Sequence, residues 1–174
     1  ETEAKNWYGL LVKNFPKHVL TKKANGCLER LGLEGKDFEL VGQTLGAGSA
    51  FDIKTLKGKP VVVYYWASWN DAAPGDFNKI RNALQPVVGK VELVCVNLDN
   101  AMGDAVNFLK GNNVAGTHLF QAGGLDSPLA TQYGITVLPN MFLIGSDGKV
   151  VSRSVQATTL EEELKKVVKE AKDK

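Results

Sequence analysis

Cysteine and histidine, the side chains that most often serve as thiol nucleophiles, zinc ligands and proton carriers near neutral pH, are rare in this 174-residue sequence. There are two cysteines, Cys27 and Cys95, and two histidines, His18 and His118. Two cysteines far apart in sequence indicate neither a disulfide framework nor a zinc site. Neither histidine has a second ligand at metal-binding spacing. The sequence therefore predicts no metal site and no cofactor.

Both cysteines lie in apolar patterns. Cys95 is inside the run Val-Glu-Leu-Val-Cys-Val, and Cys27 follows the apolar stripe of a predicted helix. A reactive thiol needs a helix N-terminus or basic neighbours to lower its pKa, and neither cysteine has them. We interpret both as packing residues. The sequence alone does not decide whether Cys27 and Cys95 form a disulfide.

The composition is that of a globular protein, with 44% hydrophobic and 23% charged residues. The 21 basic and 19 acidic residues give a net charge of +2, which favours neither a nucleic acid nor an anionic membrane as partner. No apolar run approaches the roughly 20 residues that span a bilayer, so we expect no membrane insertion. The chain begins at Glu1 without Met or a signal peptide, and we expect it to be a fragment of a longer protein.

The first 34 residues predict a helical hairpin. Apolar residues recur at steps of three and four over 3–15, Pro16 interrupts them, and a second such pattern runs over 20–31 before Gly32. The pattern resembles the last unit of a tetratricopeptide-like array. A terminal helix pair that docks on the main domain is the alternative. We therefore divide the chain into a hairpin, 1–34, and a second domain, 35–174.

From residue 35 onward the pattern changes to that of an α/β domain. A Gly-rich hairpin is predicted from strands at 37–41 and 49–53. The fully apolar run Val61–Trp66 predicts a central strand buried on both faces. A mixed sheet covered by helices follows from the order of the later elements. They are a helix at 74–88, a strand at 91–97, a helix at 101–110, a strand at Thr117–Phe120, a helix at 127–133, strands at Asn140–Ile144 and 150–154 joined by Asp147-Gly148, and a C-terminal helix from Leu160 to Ala171.

Two separated segments carry a family resemblance. Residues 58–69, Gly-Lys-Pro-Val-Val-Val-Tyr-Tyr-Trp-Ala-Ser-Trp, and residues 133–144, Tyr-Gly-Ile-Thr-Val-Leu-Pro-Asn-Met-Phe-Leu-Ile, resemble the TlpA/ResA-like thiol–disulfide oxidoreductases (redoxins) of the thioredoxin-like superfamily. The likeness covers residues 35–172. It implies a thioredoxin-like mixed sheet flanked by helices, a cis peptide before Pro139, and a periplasmic or otherwise exported protein.

The resemblance also shows what this chain lacks. In that family the Trp-Ala-x-Trp motif is followed by Cys-x-x-Cys, and here Asn70, Asp71, Ala72 and Ala73 occupy those positions. An amide and a methyl group cannot replace the attacking and resolving thiols. We predict a degenerate member with no catalytic residues, in which Asn70 and Asp71 cap the helix. Natural loss is favoured over engineered replacement, because a trapping substitution usually introduces Ser or Ala at one of the two positions, whereas the first position here is Asn70.

The family's peptide-binding surface is still encoded. The resemblance implies that the backbone of Leu138, before Pro139, faces an extended peptide, with Trp69 beside it and Asn70 at the rim, whereas Trp66 belongs to the core. Our leading hypothesis is a redox-inactive module of a larger exported protein that binds an unidentified protein or peptide. One alternative is an oxidoreductase acting through Cys27, Cys95 or a cysteine outside this chain. A purely structural end domain is the other.

Overall fold

The computed structural model describes residues 1–112 and 114–170, in which two helices precede an α/β body. The helices are α1 (Thr2–Asn14) and α2 (Thr21–Leu31). A small antiparallel hairpin follows, formed by β1 (Val41–Gln43) and β2 (Ala50–Asp52). The remaining elements are β3 (Val61–Trp66), α3 (Ala73–Leu84), β4 (Glu92–Asn97), α4 (Met102–Asn112), β5 (Thr117–Phe120), α5 (Pro128–Thr131), β6 (Asn140–Ile144), β7 (Val150–Ser152) and α6 (Leu160–Glu170).

The main sheet has five strands in the order β5-β4-β3-β6-β7. β3 runs parallel to β4 and antiparallel to β6, so the sheet is mixed and β3 lies at its centre. Every side chain of β3 is buried, which is the physical reason for its unbroken apolar sequence. The predicted thioredoxin-like α/β architecture and its central strand are therefore confirmed.

Helices cover both faces of this sheet. On one face Val62, Tyr64 and Trp66 of β3 pack with α3, α4 and α6. On the other face Val63 and Tyr65 pack with α5 and with the segment that follows α2. Because side chains of a strand point alternately to its two faces, successive residues of β3 pack into two separate cores, one on each side of the sheet. None of the helices in the described part of the chain is long and apolar enough to cross a membrane.

The N-terminal helices are present, as predicted, and α2 docks closely on the body. A Cβ atom added to Gly26 would lie 2.1 Å from the Thr131 carbonyl oxygen, so only glycine fits there. Gly134 has a φ of 57°, and a Cβ atom added to it would lie 2.4 Å from the Cys27 backbone nitrogen, so this position also requires glycine. The contact is extended by the Arg30 guanidinium, whose Nε donates to the Tyr133 carbonyl at 3.0 Å. α1 has no buried residue, and Trp7 and Phe15 are exposed.

Several predicted boundaries are wrong; among them, β7 ends at Ser152 instead of 154 and α3 ends at Leu84 instead of 88. β1 begins at Val41 instead of 37, because the Phe38 N–H donates to the Gly148 carbonyl and the preceding segment therefore pairs with the β6–β7 turn. β2 ends at Asp52, whose carboxylate accepts the Lys54 N–H and starts a 3₁₀ turn. α5 is limited to four residues after its Ser127 cap. Ala171 and the other C-terminal residues of the predicted domain 35–174 lie outside the described residues.

Candidate functional site

The loop between β3 and α3 carries the first predicted site residues. Asn70 is half-buried, and its side-chain Oδ1 accepts the Ala72 N–H at 3.0 Å. The Asn70 carbonyl accepts the Ala73 N–H at 2.9 Å. Asn70 therefore closes the turn that precedes α3. The expectation that Asn70 and Asp71 cap the helix itself is wrong, because the cap position is Ala72, which has no side-chain acceptor.

No thiol lies at the start of α3. Ala73, the first helical residue, is fully buried, and Pro74 follows it within the first turn. Both cysteines are free and buried. Cys95 is in the middle of β4, where burial raises the pKa of its thiol above the usual range. Cys27 lies on α2, with its Sγ 3.5 Å from the Gly134 carbonyl oxygen. The environment of Cys95 is therefore the opposite of the one that creates a reactive thiolate.

The segment before β6 carries the other predicted residues. The Leu138–Pro139 peptide bond is cis, as the family resemblance implies. Leu138 is half-buried and Pro139 is exposed. Large apolar side chains next to the predicted site residues are exposed: Val137, which precedes Leu138, at 72%, and Trp69, which precedes Asn70, at 55%. Trp66, in contrast, is completely buried, as predicted for a core residue.

The structure brings Pro139 and the start of α3 to the same cavity. This cavity has a volume of about 140 Å³. Pro139 forms one part of its wall and Ala72 another, so the two motifs that are far apart in sequence meet there. The other lining residues come from β3, α3, β6 and the segment before α6; they are Tyr64, Asp76, Lys79, Met141, Val155, Gln156, Ala157 and Thr158.

A buried carboxylate in this cavity is the feature that sequence reasoning missed. The side chain of Asp76 is only 10% exposed. Among the described residues its carboxylate accepts one side-chain hydrogen bond, from the Tyr64 hydroxyl at 3.2 Å, and the Lys79 ammonium lies 3.7 Å away. Burial and the neighbouring carboxylate raise the pKa of Tyr64, so the phenol stays protonated as a donor. One sequence feature indicates that Asp76 is buried: it lies on the apolar face of α3, beside Phe77 and three residues after Ala73.

A second buried carboxylate holds the loop from the other side. Asp99 is 1% exposed and follows β4. Its oxygens accept the Ser68 N–H at 2.9 Å, the Ser68 hydroxyl at 3.0 Å and the Asn97 side-chain amide at 2.7 Å. Ser68 is therefore fixed directly before Trp69, which places the exposed indole on a rigid support. Among residues 1–112 and 114–170 no group of three His, Cys, Asp or Glu side chains is arranged to hold a metal.

Comparisons with known proteins agree with this architecture. The sequence profile of a family described as thioredoxin-like matches residues 58–150. The thiol-disulfide oxidoreductase ResA of Bacillus thuringiensis subsp. konkukian is 30% identical over 125 residues, which cover 69% of this chain and 70% of that protein.

Two solved structures have the same fold. A thiol:disulfide interchange protein DsbE from Chlorobium tepidum superimposes with a TM-score of 0.66 at 25% identity, covering 79% of this chain and 96% of that one. The C-terminal domain of a thiol-disulfide oxidoreductase from Bacteroides thetaiotaomicron gives a TM-score of 0.69 at 21% identity, over 77% and 94% of the two chains.

Proposed function

Because the chain belongs to the thioredoxin-like family, we propose that it is a member without dithiol chemistry that binds a protein or peptide segment reversibly. The proposed binding surface, called the partner groove below, comprises Trp69, Asn70, Leu138 and Pro139. We further propose that the domain is part of a larger exported protein, as its family resemblance implies.

The observation that carries the proposal is which residues stand at the start of α3 and in the loop directly before it. Disulfide exchange requires a thiolate that attacks and a second thiol that resolves the mixed disulfide. Asn70 and Ala73 stand where the family resemblance places these thiols, and the two cysteines of the chain are buried elsewhere. The covalent step is therefore absent from the proposed function.

Binding is supported by the groups that remain available. Trp69 exposes a large apolar ring with a polar N–H, a combination that is common at binding hot spots. No hydrogen bond of the described residues uses the Leu138 N–H or carbonyl. Unpaired main-chain groups of this kind are able to pair with an extended segment by β-augmentation.

Redox inactivity is tested by an insulin-reduction assay with dithiothreitol as reductant. We expect the native protein to match the uncatalysed rate and the double variant Asn70→Cys, Ala73→Cys to exceed it. The matched control is Asn70→Ser with Ala73→Ser, which introduces hydroxyls and should stay at the uncatalysed rate. Turnover by the native protein that Cys27→Ser or Cys95→Ser abolishes would contradict the proposal and support a non-standard thiol.

Binding is tested with peptides selected from a random library on the immobilised native protein. Trp69→Ala should weaken the selected peptides by about tenfold or more, because truncation of a hot-spot residue costs about 2 kcal/mol. Val88→Ala is the control, since Val88 is an apolar residue that is even more exposed, at 73%, and follows the other end of α3. Peptides that bind Trp69→Ala as tightly as the native protein would place the binding surface elsewhere.

A further inference from the structure

Exposed apolar side chains are concentrated in the N-terminal hairpin. Among the described residues eleven large apolar side chains are exposed, and five of them lie within the first 20 residues. Single exposed apolar residues are normal, whereas a concentration of them marks an interaction surface. Val19, between α1 and α2, is the most exposed at 83%, so it protrudes from the surface and does not line a groove. The five are Trp7, Leu10, Phe15, Val19 and Leu20.

The turn between α1 and α2 is held in one shape by its own hydrogen bonds. The Phe15 carbonyl accepts the Thr21 hydroxyl at 2.6 Å and the His18 N–H at 3.0 Å. The His18 carbonyl accepts the Thr21 N–H at 3.0 Å, and the His18 Nδ1 accepts the Leu20 N–H at 3.2 Å. The backbone that presents the protruding side chains is therefore ordered before anything binds, which lowers the entropic cost of binding.

Positive charge is concentrated in the same stretch. Residues 4–28 contain five lysines and no acidic residue, so all 19 acidic residues lie outside this stretch and the rest of the chain is net negative. Two of the lysines form ion pairs, Lys5 with Glu1 and Lys23 with Asp126. The other three are exposed and form no ion pair with the described residues; they are Lys13, Lys17 and Lys22. The near-balanced charge of the whole chain therefore conceals a cationic surface around this turn.

Protruding apolar residues flanked by lysines match the surface of an anionic phospholipid bilayer. Apolar side chains enter the boundary between headgroups and acyl chains, while the flexible lysine stems let the ammonium groups reach the lipid phosphates. Lys13 and Lys17 each lie two residues from Phe15, and Lys22 lies two residues after Leu20. A second copy docked through the same surface would bring like charges together, which opposes a symmetric dimer.

We propose that residues 13–22, called the lipid-facing turn below, bind the surface of an anionic phospholipid membrane. The protruding apolar side chains enter the headgroup region, and the three lysines without an ion pair contact lipid phosphates. The turn lies on the membrane and does not cross it. The inference is independent of the proposed function, because the partner groove shares no residue with this turn.

The test measures binding of the native protein to vesicles by co-sedimentation. One kind of vesicle contains phosphatidylcholine alone, and the other contains phosphatidylcholine mixed with phosphatidylglycerol, which is anionic. We expect binding to the anionic vesicles to be at least about tenfold tighter, because each lysine near an anionic surface strengthens binding about fivefold. Raising the salt concentration should weaken it, because salt screens these contacts.

Two double variants test the apolar and the charged part of the turn separately. Phe15→Ser with Val19→Ser should weaken binding to the anionic vesicles about tenfold or more, because the apolar area buried in the membrane is lost. Lys17→Gln with Lys22→Gln should also weaken it about tenfold or more and should reduce its dependence on salt. All four positions are exposed, and circular dichroism verifies that each variant folds.

Matched controls change the same residue types on the body of the protein. Lys90→Gln with Lys110→Gln removes two exposed lysines that are far from the turn in sequence, and Val88→Ser removes an exposed valine. Both controls should bind the anionic vesicles as the native protein does. Losses as large as those of the turn variants would show that the whole surface attracts the membrane and would overturn the inference.

Four other outcomes would overturn it as well. The first is equal binding to both kinds of vesicle, or binding to neither. Undiminished binding by the Phe15→Ser, Val19→Ser variant would indicate attraction by charge alone, as expected of a surface for an acidic protein. Binding that Trp69→Ala abolishes and the turn variants retain would place the membrane contact in the partner groove. A dimer in sedimentation velocity that the Phe15→Ser, Val19→Ser variant loses would assign the turn to a second copy of the chain.

Discussion

Asp76 and Asp99 are two aspartates buried close to the same loop, and their surroundings differ. Asp99 accepts hydrogen bonds from the Ser68 N–H, the Ser68 hydroxyl and the Asn97 amide, and its own N–H donates to the Asn97 side chain. Among the described residues the Asp76 carboxylate accepts one side-chain hydrogen bond, from Tyr64, and it faces a cavity. The first carboxylate is enclosed by the protein's own donors, and the second is not.

This difference separates a structural carboxylate from one that is open to a ligand. A buried charge with a complete set of donors contributes to the stability of its loop, and its removal leaves those donors unpaired. A buried charge with few donors from the protein contributes less to the fold, because fewer groups lose a partner when it is removed. The two aspartates should therefore differ in how much stability the fold loses when each is replaced.

The largest effect is expected from Asp99→Ala. The change leaves the Ser68 N–H, the Ser68 hydroxyl and the Asn97 amide without their acceptor in a buried place, and each such group costs about 1–3 kcal/mol. We expect a loss of about 3 kcal/mol or more in the free energy of unfolding, measured by urea denaturation. Asp99→Asn retains one acceptor oxygen and should lose less. A loss below about 1 kcal/mol for Asp99→Ala would show that the two aspartates do not differ.

A smaller loss is expected from Asp76→Ala. Only the Tyr64 hydroxyl loses its acceptor, and water in the adjoining cavity is able to replace it. The free energy of unfolding should fall by about 1 kcal/mol or less, the value of one ordinary hydrogen bond. The same denaturation experiment measures it. If Asp76→Ala were as destabilising as Asp99→Ala, the fold would depend on this carboxylate and the comparison would fail.

The smallest effect at neutral pH is expected from His118→Phe. His118 packs against the rings of Trp66 and Phe77, and its two ring nitrogens have no hydrogen-bond partner among the described residues. Burial lowers the pKa of His118 below its usual 6.5, while a nearby Val114 backbone group opposes the shift. The unfolded chain therefore binds the proton first, so stability is complete above pH 6.5 and falls as the pH drops from there toward the folded pKa. Denaturation curves at several pH values should show a weaker acid dependence in His118→Phe. An unchanged dependence would contradict the assignment.

The sequence predicted those parts of the molecule that depend on local pattern. The central strand Val61–Trp66 was predictable because its apolar run leaves no exposed face, and Trp66 was correctly assigned to the core. The absence of thiols at Asn70 and Ala73 could be read directly once the two family motifs were recognised. The partner groove stays a prediction.

The missed features all depend on residues that meet only after folding. The cavity joins Asp76 of α3 to Pro139 and to Gln156 before α6, three segments with no common sequence pattern. The hydrogen-bond partners of Asp99 are Ser68, which follows the end of β3, and Asn97, the last residue of β4. The start of β1 was misplaced for the same reason, since the Phe38 N–H bonds to Gly148 and not to its own hairpin.

The close contact of Gly26 with Gly134 has a consequence for how such proteins are inherited and recombined. A side chain at either position would collide with backbone atoms of the other segment, so the two glycines form a matched pair that lies far apart in the chain. A recombinant gene in which the codons for residues 1–34 came from a relative would produce a folded protein only if the donor also supplied a glycine at position 26. A hairpin from any relative with that glycine would be sterically compatible with this body at the contact, and one without it would not.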